Sequence, residues 1–252
     1  MREREEIQEM LRDYALSKKS SILDKVKADL QTLADPEKAK ILSRFFKTGK
    51  GQYGEGDVFL GIVVPKQRTV AKKYSGLPLR DIGRLLTSKI HEHRLVALII
   101  LANAYKNADT EDREKIVDFY LKQARNINNW DLVDLSAPNI LGEYLLDKDR
   151  TVLYRLAGSK SLWERRIAIM STFAFIRKND FKDTLRISEL LLNDSHDLIH
   201  KAAGWMLREV GKRDLKTEED FLERHYSLMP RTMLRYAIER FGAEKRKMFL
   251  NK

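Results

Sequence analysis

Within the stretch NINNWDLVDLS, Trp130 and Asp134 stand four residues apart in a segment patterned as helix, so their side chains share one face. An aromatic ring beside a carboxylate suits one kind of chemistry. The π face attracts cations, and an ionised carboxylate stabilises positive charge as it develops. Trp205, in HKAAGWMLRE, has Arg208 on its own face and Gly204 beside it, where a missing Cβ lets another backbone approach. Each of the three tryptophans, Trp130, Trp163 and Trp205, can also be read as plain core, and Trp163 in SLWERR reads as packing.

These residues must be positioned by helices, because the chain offers little else. Helical patterns fall near 3–17, 21–34, 36–47, 65–74, 78–87, 90–106, 110–126, 128–135, 138–146, 150–157, 161–177, 181–192, 195–210, 217–226, 230–241 and 243–250. Asp35-Pro36 supplies an N-cap followed by an N1 proline, and Pro65, Pro138 and Pro230 also precede helical patterns. VFLGIVV at 58–64 is the one strand candidate, and Gly61 splits it. The apolar run LVALIILA at 95–102 is too short to span a bilayer and reads as a buried helix.

The helices repeat. EHRLVAL, NNWDLVD, ERRIAIM, IHKAAGW and RTMLRYAIE align with Arg94, Trp130, Arg166, Lys201 and Arg235 in one column, at intervals of 36, 36, 35 and 34 residues. A helix pair per roughly 35 residues is the period of an α-solenoid. The expected fold is therefore all-α, a curved solenoid of HEAT-like antiparallel helix pairs forming a single domain over residues 1–252. Four of the five column residues are cationic, so a column on the concave side makes a basic cleft; a row of solvated helix-start charges would look the same.

Composition agrees with a polyanion partner. The 252 residues carry 48 Lys and Arg against 37 Asp and Glu, a net charge of +11, which points first to nucleic acid. The sequence has no cysteine, which removes thiolate catalysis and Cys-based zinc sites and fits a cytoplasmic protein. The N-terminus has no apolar h-region of a secretory signal.

Two motifs invite other chemistry. GKGQYGEGD at 49–57 contains G-x-G-x-x-G, but a helix precedes it and the G-K-[ST] ending of a phosphate loop is missing; a surface loop is the better reading. His196 and His200 have the i, i+4 spacing of a zinc pair, yet Asp197 follows the first where a metalloprotease has Glu, and no third ligand is evident. No G-x-S-x-G elbow supports a serine triad.

Three motifs together, NNWDLVD with SAPNILGEYL, then LWERRIA, then HKAAGWMLRE, resemble the AlkD family of DNA alkylation repair glycosylases from about residue 36 to the C-terminus. The resemblance implies HEAT-like repeats wrapping duplex DNA in a basic cleft. It implies excision of cationic alkylpurines, such as 3-methyladenine and 7-methylguanine, with no metal, cofactor or membrane. The family's catalytic aromatic and carboxylate match Trp130 and Asp134, and its second aromatic matches Trp205. Its DNA-contacting arginines match Arg166 and Arg208, to which the repeat column adds Lys201, Arg94 and Arg235. A monomer acting on alkylated duplex DNA is expected. Two other classes stay open: a DNA-binding solenoid without catalysis would not need Asp134 and the tryptophans, and a protein-interaction scaffold would not need the basic column.

Overall fold

In the computed structural model, which describes residues 21–251, the chain is all-α. The helices are α1 (Ile22–Thr32), α2 (Pro36–Phe45), α3 (Val64–Lys73), α4 (Leu79–Leu86), α5 (His91–Asn107), α6 (Thr110–Lys122), α7 (Trp130–Ser136), α8 (Thr151–Ala157), α9 (Leu162–Ser171), α10 (Phe173–Ile176), α11 (Lys182–Leu190), α12 (Asp197–Gly211), α13 (Leu215–His225), α14 (Arg231–Ala237) and α15 (Ala243–Leu250). Each helical pattern read from residue 21 onward holds a helix or a helical turn; the one at 3–17 lies outside the described residues. Local chemistry sets the starts. Ser21, Asp35, Asp109, Ser161 and Asp214 each accept a backbone N–H of the first turn, satisfying donors with no intrahelical partner. No described helix is long and apolar enough to cross a membrane.

The chain forms two compact units, one running to Leu101 and one from Ala102 onward. In the first, residues 95–101 are buried, as the apolar run required. The strand candidate is not a strand. Val58 makes one isolated parallel bridge to Ile90, and Gly61, at φ +84°, lies where a Cβ would meet Asp35 O at 2.1 Å. In place of a neighbouring strand, the buried Glu92 carboxylate accepts the N–H groups of Leu60, Gly61 and Ile62 at 2.9, 2.8 and 3.2 Å. A charge-assisted acceptor thus supplies what a sheet ladder would have supplied.

The glycine-rich loop before it is a series of turns. Gly49 and Gly51 donate their N–H groups to Gln52 Oε1 and Glu55 Oε2, and Gly54 donates to Lys47 O. Those amides are spent within the loop, unlike the outward amides of a phosphate cradle. Asp57 anchors the loop's end to Arg94 at 2.7 Å and to His91 at 3.3 Å, all three side chains being buried.

The second unit is built in two layers. α7 packs on α9, α9 on α12, and α12 on α14. α8, α11 and α13 back them, with α8 against α9 and α11, α11 against α12, and α13 against α12. The helix pairs follow the repeat period. Tight approaches fix their spacing. A Cβ on Gly204 would lie 2.3 Å from Met233 O, and one on Gly142 would lie 2.3 Å from Ser171 O. Gly204→Ala should therefore force α12 away from α14 and cost about 1–3 kcal/mol by denaturant unfolding, as overpacking does. The gain of up to about 1 kcal/mol that Gly→Ala brings in an unhindered helix would contradict that close contact.

Glu218 of α13 is buried, its Oε1 meeting no hydrogen-bond donor. Burial pushes its carboxyl from 4.5 up to about 8, Glu219 adds to the rise, and Arg208 and Lys245 oppose it. The fold thus holds the proton while the unfolded chain releases it. Below pH about 4.5 both states are neutral and nothing is lost; between there and about 8 stability falls as pH rises, by up to about 1.4 kcal/mol per pH unit. Glu218→Gln should abolish that slope. Parallel stability–pH curves for the two proteins would contradict the assignment.

Candidate active site

α7 is short and capped on both sides, which places its two chemical residues. Asn129, fully buried, accepts the Trp130 N–H at 2.8 Å through Oδ1 and starts the helix at that residue. Tyr120 of α6, also fully buried, meets Ser136 Oγ at 3.0 Å and ties the other end. A π-helical turn, Pro138–Gly142, follows directly. Such turns widen a helix locally and recur at functional sites. Trp130 is half-buried, and Val133 and Leu132 point into the core.

Asp134 meets Arg166 of α9 head-on. Arg166 Nε donates to Oδ1 at 2.8 Å and Nη2 donates to Oδ2 at 2.7 Å, a bidentate pair. The remaining Nη1 donates to Leu198 O of α12 at 2.5 Å. One guanidinium therefore links three successive helices. The Asp134 side chain is 15 % exposed against 5 % for Arg166.

Burial pushes the Asp134 carboxyl above its ordinary value, and Arg166 pulls it back. Arginine does not give up its proton, so protonating Asp134 would strand a buried cation. That cost keeps the carboxylate ionised at neutral pH.

Asp134, Arg166, Lys201 and Arg235 are each the fifth residue of their helix. Asp134, not Trp130, is therefore level with Arg166. The alignment that put Trp130 in one column with Arg166 is off by one turn at α7. That helix starts at Trp130 itself, so Asp134 falls at the position that Arg166, Lys201 and Arg235 hold in theirs.

The second aromatic, Trp205, is half-buried in the middle of α12. Its Nε1–H donates to Glu209 Oε1 at 3.0 Å, and its ring lies 6.1 Å from that of Phe173. Arg208 pairs with Glu239, and Glu209 is 3.9 Å away. Lys201 pairs with Asp197 at 2.7 Å. Arg235 is exposed and in no ion pair among the described residues. Arg94 and Arg166 present no surface for a phosphate. Arg94 is 3 % exposed, bound to Asp57 and donating to Ser88 O at 2.9 Å; its expected role as a DNA contact gives way to holding the first unit's loop. Trp163 is half-buried at the start of α9.

Sequence reasoning missed Glu209 and Glu239. The i, i+4 spacing of Trp205 and Glu209 could have flagged the first; nothing local links Glu239 to Arg208. The histidine pair has structural work: His196 Nδ1 accepts the Leu198 N–H and caps α12, and His200 Nε2 lies 2.5 Å from Asp194 O. Among the described residues no three metal-ligating side chains cluster.

Residues 26–241 match a family described as DNA alkylation repair enzymes. Among solved structures, one from Enterococcus faecalis, described as a predicted DNA alkylation repair enzyme, superposes with a TM-score of 0.64 at 18 % identity, covering 83 % of this chain and 97 % of that one. A Streptococcus mutans protein gives a TM-score of 0.48 at 16 % identity, over 79 % and 96 % of the two chains. No curated protein matches by sequence. The first likeness agrees with the helical-repeat fold.

The ion pair carries a stability consequence. Asp134→Asn leaves Arg166 buried without its counter-charge and should cost about 3–5 kcal/mol. Asp134→Asn with Arg166→Gln removes both charges and should recover most of that loss. A double variant whose loss in urea equals the sum of the Asp134→Asn and Arg166→Gln losses would show that the pair is not coupled.

Proposed function

We propose, for a chain that belongs to the DNA alkylation repair enzyme family, that it hydrolyses the N-glycosidic bond of cationic alkylpurines such as 3-methyladenine and 7-methylguanine in duplex DNA. The observation that carries this reading is the Asp134 carboxylate, held bidentately by a buried arginine, with Trp130 on the same helix face. Alkylation at N3 or N7 makes the purine a cation that departs neutral, so little acid catalysis is needed. Positive charge builds instead on the sugar as the bond breaks, the same oxocarbenium problem that glycosidases solve with carboxylates.

Asp134 opposes that charge and orients the attacking water. Its hydrogen bonds are made before the substrate arrives, so no reorganisation is needed at the moment of reaction. At about 4 Å and an effective dielectric of about 20, a unit charge pair contributes about 4 kcal/mol, about a thousandfold in rate when felt only in the transition state. Trp130 and Trp205 offer π faces to the cationic sugar and base. Arg166 acts through Asp134 as a positioning residue. Lys201, Arg208 and Arg235 serve the DNA backbone, the first two after exchanging a carboxylate for a phosphate. The chain acts as a monomer, without metal or nucleotide cofactor.

A bundle-holding Asp134 is the rival reading, and the same ion pair favours it. The test is release of 7-methylguanine from methylated duplex under single-turnover conditions, at a temperature where every variant is folded. Wild type should release the base, and Asp134→Asn should be slower by two to three orders of magnitude, matching the Coulomb figure. The Asp134→Asn, Arg166→Gln protein should recover stability and stay slow. Recovery of rate along with stability would leave Asp134 a purely structural residue.

A further inference from the structure

The cations that the repeat pattern and the family resemblance single out are mostly paired within the protein: Arg166 with Asp134, Lys201 with Asp197 and Arg208 with Glu239. Cations without a close carboxylate gather elsewhere in the second unit, at the C-terminal ends of α10 and α12. Arg177 lies over the Phe173 ring, 4.4 Å from its centroid. Its nearest carboxylate, Glu143, is 3.9 Å away and itself 39 % exposed. Lys178 is exposed and in no ion pair among the described residues. Asn179, at φ +59°, ends the turn, and its Oδ1 accepts a hydrogen bond from Arg213 Nη1 at 3.2 Å. The acids nearby are occupied: Asp180 by Arg150 at 2.6 Å, Asp214 by capping α13 through the Thr217 N–H and hydroxyl.

Cations at helix C-termini often do no more than complement the helix dipole. Arg177 and Arg213 are placed otherwise. One rests on an aromatic ring and the other on a side-chain amide oxygen, and neither donates to a helix carbonyl among the described residues. Both are held in place, Arg177 with only the long Glu143 pair and Arg213 in no ion pair among the described residues. The cluster is continuous with the candidate site, because Phe173, which carries Arg177, faces Trp205 at 6.1 Å.

We propose that Arg177, Lys178 and Arg213 form a second phosphate-binding lip, which holds the strand of a DNA duplex opposite the one met by the Lys201–Arg208 rim. The inference rests on the DNA-repair reading above. Length supports two strands over one. Lys201 in the first turns of α12 and Arg213 just past its end lie on either side of Trp205, and their separation along the axis is about 18 Å at 1.5 Å per residue. That exceeds the width of the major groove, about 12 Å, so the two ends of the helix can meet phosphates on both of its flanks. The lip supplies charge that the neutralised rim does not, and each free cation it commits should release counterions on binding.

The test is fluorescence anisotropy with a labelled unmodified duplex and a labelled single strand of the same sequence, across a range of salt. Lys178→Ala with Arg213→Ala touches no core residue; Arg177→Ala is a separate protein, since it uncovers Phe173. Thermal melting of each confirms folding. The lip predicts weaker duplex binding, with the slope of log K against log[salt] flatter by about one per phosphate contact removed, and a smaller loss for the single strand. If the Lys178, Arg213 variant binds duplex with wild-type affinity and slope while Arg208→Ala and Arg235→Ala weaken it, the lip is wrong and the DNA reading stands. Equal losses on duplex and single strand overturn the two-strand assignment. A wild-type protein with no salt-dependent duplex binding overturns both.

Discussion

The ion pair between Asp134 and Arg166 is the constraint on which the candidate site depends. It joins α7 to α9 through two hydrogen bonds and α9 to α12 through a third. It fixes the orientation of the carboxylate and leaves the guanidinium no freedom to turn. A lone buried carboxylate would take up a proton; a lone buried arginine would destabilise the layer. Together they are tolerated, and the more exposed member is the negative one. The same contact therefore joins three helices and holds the carboxylate of the candidate site in a fixed orientation. Stability and chemistry converge on one pair, so a single substitution confounds them and a double one separates them.

Everything around the pair fixes its position. Asn129 caps the start of α7, Tyr120 and Ser136 tie its end, and a π-turn follows directly. Gly142 and Gly204 let neighbouring backbones close to distances that no side chain would allow. The outer helices back this layer. The first unit uses the same physics for a different purpose: Glu92 satisfies three consecutive amides where no strand is present, and Asp57 with Arg94 closes the glycine-rich loop.

Helix positions were legible in the sequence because periodicity, caps and prolines all act locally. Asp35-Pro36 and the buried run at 95–101 needed no tertiary information. Spacing and motif resemblance single out Trp130 and Asp134 as candidates. Axial register was not legible, since it depends on where a seven-residue helix starts. Charge partners were hidden for a related reason. Asp134 and Arg166, Arg208 and Glu239, Arg94 and Asp57 are separated by about 30 residues or more, and only folding brings them together. A column of cations thus looked like a free basic surface, although most of those charges already have partners.

The most direct test of the central claim is the pH dependence of single-turnover 7-methylguanine release. An ionised Asp134 that acts on the sugar must lose its proton before the enzyme works. Because burial raises that carboxyl, the rate should fall with decreasing pH through a midpoint above the ordinary aspartate value, and Asp134→Asn should lose that inflection. A wild-type rate that stays level through the acidic range, in protein that remains folded, would contradict a catalytic charge at Asp134.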